Sequence, residues 1–125
     1  MQLSLHTDKL AKYDTDVFQD VFAPEILKYI EECYQYATLE ELAGEMNVAL
    51  STASKIVKKS TGMTFKELLQ RKRVTQAANL LEHTKLPITE IIERVGYDNT
   101  SYFHKIFKET YQMSPKEYRD WKIRT

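Results

Sequence analysis

The sequence of 125 residues is poor in the residues that usually cross-link or interrupt a chain, with one cysteine, three glycines and three prolines. The single Cys33 excludes an internal disulfide, which is typical of a reducing compartment. So few glycines and prolines argue against long flexible linkers. No apolar run approaches the roughly 18 residues that a membrane span needs, and the N-terminus lacks the apolar core of a signal peptide. We therefore expect a cytoplasmic protein of one domain or two small lobes, with no membrane partner.

The chain also lacks net charge, but its charges are unevenly distributed. Residues 1–50 carry three lysines against ten acidic residues, net −7, whereas residues 51–125 carry 15 basic against eight acidic residues, net +7. Binding to a nucleic acid requires a local positive face rather than a positive total. The C-terminal part is therefore the candidate interface, and the acidic part is expected to face away from DNA or toward a partner domain.

Apolar residues recur at helical spacing, and no strand-like alternation of useful length occurs, so we predict an all-α fold of about seven helices. Pro24 is expected in the first turn of a helix, where its missing N–H costs nothing. The apolar stripe of that helix is predicted to consist of Ile26, Leu27, Ile30 and Tyr34.

Further helix boundaries are predicted by local signals. Residues 38–41, 64–67 and 114–117 each have a Ser or Thr followed three positions later by Glu, the pattern of a capping box. Asn47 and Gly62 are suited to left-handed helix ends.

Two segments, residues 38–64 and 87–114, repeat one pattern at an offset of 49 to 50 residues. Ser51 aligns with Ser101, and Lys55 aligns with Lys105. Each copy has a short helix, a tight turn and a second helix with lysines on one face, the arrangement of a helix-turn-helix. In that motif the second helix enters the DNA major groove, so the repeat predicts two readings of DNA by one molecule.

The second helix of each copy has polar and basic residues on the positions predicted to face outward. Because position on this helix suggests DNA contact, we take these residues as the candidate site. The candidates are Ser51, Thr52, Ser54, Lys55, Lys58 and Lys59 in the first copy, and Thr100, Ser101, His104, Lys105 and Lys108 in the second.

The sequence lacks the patterns of an enzyme: it has no glycine-rich phosphate loop and no nucleophile–base arrangement. His6, His83 and His104 do not have the spacing of metal ligands. We therefore predict a protein that is not an enzyme and has neither cofactor nor metal. Cys33 is expected in the core; the alternative is a methyl-accepting cysteine of a DNA-repair protein.

Residues 73–119 closely resemble the signature of the AraC/XylS family DNA-binding domain. That signature runs R-x-x-x-A-x-x-L-L, I-x-E-I-A, V-G-[FY]-x-[DN]-x-S-[YF]-F and F-K-x-x-x-G-x-[ST]-P-x-x-[YF]-R. The matching residues are Arg73, Ala77, Leu80, Leu81, Ile88, Glu90, Ile91, Val95, Gly96, Tyr97, Ser101, Tyr102, Phe103, Phe107, Lys108, Ser114, Pro115, Tyr118 and Arg119. With the first helix-turn-helix included, the resemblance covers residues 24–119.

The resemblance implies two homeodomain-like helix-turn-helix lobes joined by a long connecting helix. Residues 1–23 would be an N-terminal extension, residues 24–63 the first lobe, 64–83 the connecting helix and 84–125 the second lobe. The implied base-reading residues are Ser51, Ser54 and Lys55 in the first lobe and Ser101, His104 and Lys105 in the second.

The same resemblance implies a bacterial transcription regulator that binds double-stranded promoter DNA, with RNA polymerase as a further partner. A small-molecule effector would act only through a sensor domain outside this chain, so the chain is expected to be the DNA-binding part of a longer activator.

Several residues depart from the family pattern. Ala49 stands where a capping serine is usual, and Gln112 stands where glycine is usual. Lys55 and Lys105 stand where arginine is common, and lysine lacks the planar fork that binds guanine in two places. Together with the zero net charge, Ala49 and Gln112 favour an alternative, a protein-interaction module that keeps the fold without specific DNA binding.

Overall fold

The computed structural model describes the backbone of residues 15–124 and the side chains of residues 21–124. Within these residues the chain forms seven helices and no strand, which confirms the predicted all-α fold of two helix-turn-helix subdomains and a long connecting helix. No helix among them is long and apolar enough to cross a bilayer. The helices are α1 (Thr15–Cys33), α2 (Leu39–Met46), α3 (Leu50–Thr61), α4 (Phe65–His83), α5 (Ile88–Arg94), α6 (Thr100–Tyr111) and α7 (Pro115–Arg124).

The chain divides into two compact units. The first unit continues to Cys33, resumes at Ala37 and ends at Leu69, so it contains the helix-turn-helix of α2 and α3. The second unit consists of the short segment Tyr34–Tyr36 and the chain from Gln70 onward, with the helix-turn-helix of α5 and α6. The predicted boundaries at residues 23, 63 and 83 stay predictions, and residues 1–14 of the predicted extension lie outside the described residues.

The predicted start of the first helix at Pro24 is wrong, because α1 begins at Thr15 and Pro24 lies inside it. A proline in a helix interior cannot donate a hydrogen bond to the carbonyl four residues earlier. The helix continues through Pro24 because residues on both sides of it, Phe22 and Ile26, are buried in the core of the first unit. Tertiary burial therefore outweighs the local signal.

The predicted apolar stripe of α1 is also partly wrong. Ile26 and Ile30 are buried as predicted, but Leu27 is 50% exposed and Tyr34 lies beyond the end of the helix. Tyr29, which is 3% exposed, takes a place on the buried face. On a helix, position 29 lies about 20° from the buried position 22 and about 60° from position 26, whereas position 27 lies about 140° and about 100° from them.

Tyr29 completes the cap at the start of α2. The Thr38 hydroxyl accepts a hydrogen bond from the Glu41 N–H at 3.1 Å, as the capping box predicts. The Glu41 carboxylate, however, accepts from the Tyr29 hydroxyl at 2.6 Å, and the Tyr29 hydroxyl accepts from the Thr38 N–H at 3.0 Å. Burial, together with the bond to Glu41, raises the pKa of Tyr29 to about 12. The N-terminus of α2 is thus capped in part by a side chain of α1.

The other two capping boxes have the predicted reciprocal form. Thr64 donates its N–H to Glu67 at 2.9 Å, and its hydroxyl accepts from the Glu67 N–H at 3.1 Å. Ser114 and Glu117 make the same pair of bonds at 2.7 and 3.1 Å. Hydrogen bonds to the capping residues lower the pKa of both carboxyl groups below its ordinary value, because they stabilise the charged form.

Each unit has its own apolar core. The first core is formed by α1, α2, α3 and the start of α4, including Leu68. The second is formed by the rest of α4 with α5, α6 and α7, and its largest fully buried side chains include Phe103 and Phe107, whose ring centroids are 5.7 Å apart. Arg119 closes the end of α4 by donating to the carbonyls of Leu81 and Thr84 at 3.0 and 3.2 Å.

The segment Tyr34–Tyr36 is held in the second unit by Arg73. The guanidinium of Arg73 donates to the Tyr34 carbonyl at 2.7 Å and to the Gln35 carbonyl at 3.3 Å. The Gln35 amide in turn donates to the Arg94 carbonyl at 2.7 Å. Gly96, at the turn between α5 and α6, has a φ of 106°, and a Cβ there would lie 2.8 Å from both Arg73 Nε and the Gln35 carbonyl oxygen. The turn before α6 therefore requires glycine.

We predict that Gly96→Ala lowers the free energy of unfolding by about 2 to 4 kcal/mol, because it combines a strained φ with two close contacts. Gly44→Ala is the matched control, since Gly44 is an exposed helical residue with open space around its Cα. That change should stabilise the protein by about 0.5 to 1 kcal/mol through helix propensity. Urea unfolding of both variants tests the prediction, which fails if Gly96→Ala unfolds at the parent's midpoint.

Candidate nucleic-acid interface

Helix α3 buries one face and exposes the other. Ala53, Ile56 and Val57 are buried in the first core, and their spacing of three and one fixes the orientation of the helix. The exposed side therefore follows from what is buried. The predicted residues on it are all exposed except Thr52, which is half-buried at its edge: Ser51, Thr52, Ser54, Lys55, Lys58 and Lys59.

Helix α6 has the same construction in the second unit. Phe103, Ile106 and Phe107 are buried in the second core at the spacing found in α3. All of the candidates predicted for this helix are exposed: Thr100, Ser101, His104, Lys105 and Lys108. Each unit thus brings its own predicted residues together on one helix face.

Lysines dominate the charge of both faces. Helix α3 contains no acidic residue, and α6 contains only Glu109. Among residues 21–124, no side-chain hydrogen bond or ion pair is found for Lys55 or Lys105. Lys58 donates to the Gly62 carbonyl at 3.3 Å, and the charge of Lys108 helps to lower the pKa of Glu117. Ammonium groups without carboxylate partners are available to phosphate oxygens.

His104 is oriented by the first turn of its own helix. Its Nδ1 lies 2.8 Å from the Thr100 carbonyl oxygen, and its ring packs edge-on against Phe103 at 5.9 Å. Since a carbonyl can only accept, we assign the proton to Nδ1. The neutral ring then presents Nε2 to solvent as an acceptor, and the protonated ring presents it as a donor. His104 can therefore accept from a base amino group or donate to a phosphate.

The N-termini of the two helices differ. Ala49 precedes α3 and makes no side-chain capping bond, as its side chain predicts. Asn99 precedes α6, and its Oδ1 accepts from the Tyr102 N–H at 2.9 Å. Gln112, which stands where glycine is usual, has a left-handed φ of 59° and donates its side-chain amide to the Glu109 carbonyl at 2.8 Å. The fold accommodates both departures from the family pattern.

Two exposed residues on these helices were missed by the sequence analysis. Leu50 is the first residue of α3 and is 46% exposed. Tyr102 is 38% exposed, and its hydroxyl donates to the Gln70 side chain at 3.3 Å. The repeat contained a signal for Leu50, because an offset of 50 aligns it with Thr100, a predicted candidate.

Cys33 is half-buried and packs against the first core, so its predicted core position is only partly correct. Burial and the nearby carboxylates of Glu41, Glu45 and Glu32 raise the pKa of its thiol. A thiol held in its protonated form is a weak nucleophile, which counts against the methyl-acceptor alternative. His6 lies outside the described residues, and residues 21–124, whose side chains the structure describes, contain no group of three His, Cys, Asp or Glu placed to hold a metal.

Two units, each with an exposed polar and basic face on the second of two consecutive helices, define a helix-turn-helix protein. A family model described as a helix-turn-helix domain matches residues 42–120, more than half of the chain. The regulatory protein PocR of Salmonella typhimurium is 37% identical over 81 residues, which are 65% of this chain and 27% of PocR.

Solved structures agree with this assignment. The C-terminal domain of AraT, a response regulator from Geobacillus stearothermophilus, is 39% identical with a TM-score of 0.71, and the match covers 78% of this chain and 82% of that one. The C-terminal domain of the two-component response regulator yesN from Fusobacterium nucleatum is 36% identical with a TM-score of 0.72, covering 78% of this chain and 96% of that one. The chain therefore belongs to the AraC/XylS family, as the resemblance predicted. It spans less than half the length of the curated relatives PocR, RhaR and RhaS.

The difference between the two helix N-termini predicts opposite effects of two substitutions. Ala49→Ser should raise the free energy of unfolding by about 1 kcal/mol by supplying the missing cap, and Asn99→Ala should lower it by about 1 kcal/mol. Ser54→Ala, an exposed change within α3, is the control and should stay within about 0.5 kcal/mol of the parent. Chemical denaturation measures all three, and an Ala49→Ser variant no more stable than the parent contradicts the cap assignment.

Proposed function

We propose that this chain is the DNA-binding part of an AraC-type transcription regulator that binds double-stranded promoter DNA in a sequence-specific manner. The observation that carries the proposal is the exposed face of α3 and of α6, where hydroxyl, imidazole and ammonium groups lie on the helix that a helix-turn-helix places in the major groove. The names of relatives support a regulatory role: PocR is a regulatory protein and RhaS a transcriptional activator. RNA polymerase is the further partner that we propose.

The side chains divide into base-reading and phosphate-binding groups by position. Lys58 and Lys108, about one turn beyond Lys55 and Lys105, are proposed to contact phosphates. Such contacts position the protein on the DNA without discriminating between base sequences. Lys59 and the hydroxyls of Thr52 and Thr100 lie at the margins of the same faces. The proposed base-reading residues are Ser51, Ser54 and Lys55 on α3, and Ser101, His104 and Lys105 on α6.

One molecule is proposed to insert α3 and α6 into successive major grooves. The support is the internal repeat, which supplies two different recognition helices in a single chain. Successive grooves on one side of B-DNA are about 34 Å apart, so such a protein reads two unlike half-sites one helical turn apart. If the protein's spacing does not match that of the grooves, either DNA bends, at a cost of about 1 to 6 kcal/mol, or one of the two helices leaves its groove.

Binding should weaken steeply with salt, because each lysine–phosphate contact displaces condensed counterions. Lys108→Ala should reduce the slope of log K against log salt concentration by about one. Lys28→Ala, an exposed lysine of α1 outside the proposed interface, should leave the slope unchanged. Fluorescence anisotropy titrations between 50 and 200 mM salt measure the slopes, and an affinity that is flat over this range would contradict the proposal.

Two lysine substitutions should affect different halves of the binding site. Lys55→Ala and Lys105→Ala should each cost about 1 to 3 kcal/mol on the preferred sequence and relax the base preference in one half only. Lys58→Ala should weaken all sequences alike. Selection from a random DNA library with the parent and each variant measures these preferences. If Lys55→Ala and Lys105→Ala both relaxed the base preference in the same half of the site, the proposal that α3 and α6 read separate half-sites would be contradicted.

A gel shift with genomic DNA fragments separates the proposal from its alternative. The zero net charge of the chain favours a protein-interaction module with this fold. Specific shifted fragments at moderate salt would support the DNA-binding proposal, and no shifted fragment even at low salt would support the interaction module.

A further inference from the structure

Leu50 is an apolar residue on an otherwise polar face. It is the first residue of α3, it is 46% exposed, and it is not part of the apolar cluster that forms the first core. Ser54 and Lys58, four and eight positions later, are exposed on the same side of the helix. The preceding Ala49 adds no polar side-chain contact to this end of the helix. The first residue of the proposed recognition helix is therefore apolar, and the polar residues of the face begin at Ser51.

The place of Leu50 restricts what it can contact in DNA. In a helix-turn-helix, the N-terminal residues of the recognition helix reach the base edges. A leucine side chain can form no hydrogen bond with a base or a phosphate. The apolar group that the base pairs display in the major groove is the 5-methyl group of thymine. We propose that Leu50 contacts the 5-methyl group of a thymine and selects for that base in the half-site read by α3.

This inference rests on the proposed function and adds a residue to it. The equivalent residue of the second repeat is Thr100, which carries both a hydroxyl and a methyl group. It follows Asn99, whose side chain caps the start of α6. The first position of α6 can therefore form hydrogen bonds, whereas the first position of α3 cannot. The two half-sites should differ accordingly, with a thymine requirement only in the half-site that α3 reads.

The exposure of Leu50 makes a clean substitution possible. Because Leu50 is outside the core, Leu50→Ala should keep the thermal midpoint of the parent. Leu27→Ala is the matched control, since Leu27 is 50% exposed on α1, outside the proposed interface. Any change in base preference that is found only with Leu50→Ala then reports a DNA contact rather than a change in stability.

The experiment uses the full chain in two steps. Selection from a random library should show one enriched thymine in the α3 half-site with the parent and with Leu27→Ala, and no enrichment at that position with Leu50→Ala. Deoxyuridine is then placed at that position, which removes only the 5-methyl group. The parent should lose about fourfold in affinity, the ordinary effect of one buried methyl group, whereas Leu50→Ala should bind the two DNAs equally.

The outcomes separate the two proposals. If the parent selects a defined site but binds thymine and uracil versions equally, or if the parent and Leu50→Ala lose the same affinity, the role of Leu50 is refuted and DNA binding stands. If the parent selects no sequence from the library, the proposed function fails, and the role of Leu50 fails with it.

Discussion

The one-sided burial of α3 and α6 is the constraint on which the rest of the structure depends. A helix with three apolar side chains packed in a core cannot rotate about its axis without exposing them. Val57 and Phe107, both fully buried, therefore determine which side of each helix faces solvent. The polar residues of each helix therefore lie on one face without having to contact one another. The exposed face of each helix is in this sense a product of the core, and its chemistry can vary while the scaffold stays the same.

Most of the fold was predictable from the sequence because its signals are local. The capping boxes at residues 64–67 and 114–117 and the left-handed residues Asn47 and Gly62 act within one turn of the chain, and the structure confirms them. The errors arose where a distant contact decides the outcome. Pro24 lies inside a helix because its neighbours are buried, and Tyr29 replaces one bond of the first capping box. No single-helix pattern contains that information.

The candidate site was predictable to the extent that a helical period predicts exposure. Ten of the eleven predicted residues are exposed, and Thr52 is half-buried, because the inward positions of both helices are strongly apolar. Leu50 was missed because only polar and basic residues of the two helices were taken as candidates, and Leu50 is apolar. The orientation of the His104 ring also depends on a carbonyl distance that no sequence pattern supplies. Which bases and phosphates these residues contact stays a prediction.

The short segment Tyr34–Tyr36 has a consequence for recombining members of this family. It belongs to the second unit, yet the chain reaches it before the first unit is complete. A chimaera that exchanges residues 70–125 alone would therefore separate Arg73 from the loop whose carbonyls it binds. The backbone carbonyls are present in any sequence, but the side-chain amide of Gln35 is specific to this one, and it donates to the carbonyl of Arg94, the last residue of α5. Replacing the second unit of this chain thus means transferring two discontinuous pieces, the segment from Gln70 onward and the tripeptide Tyr34–Tyr36.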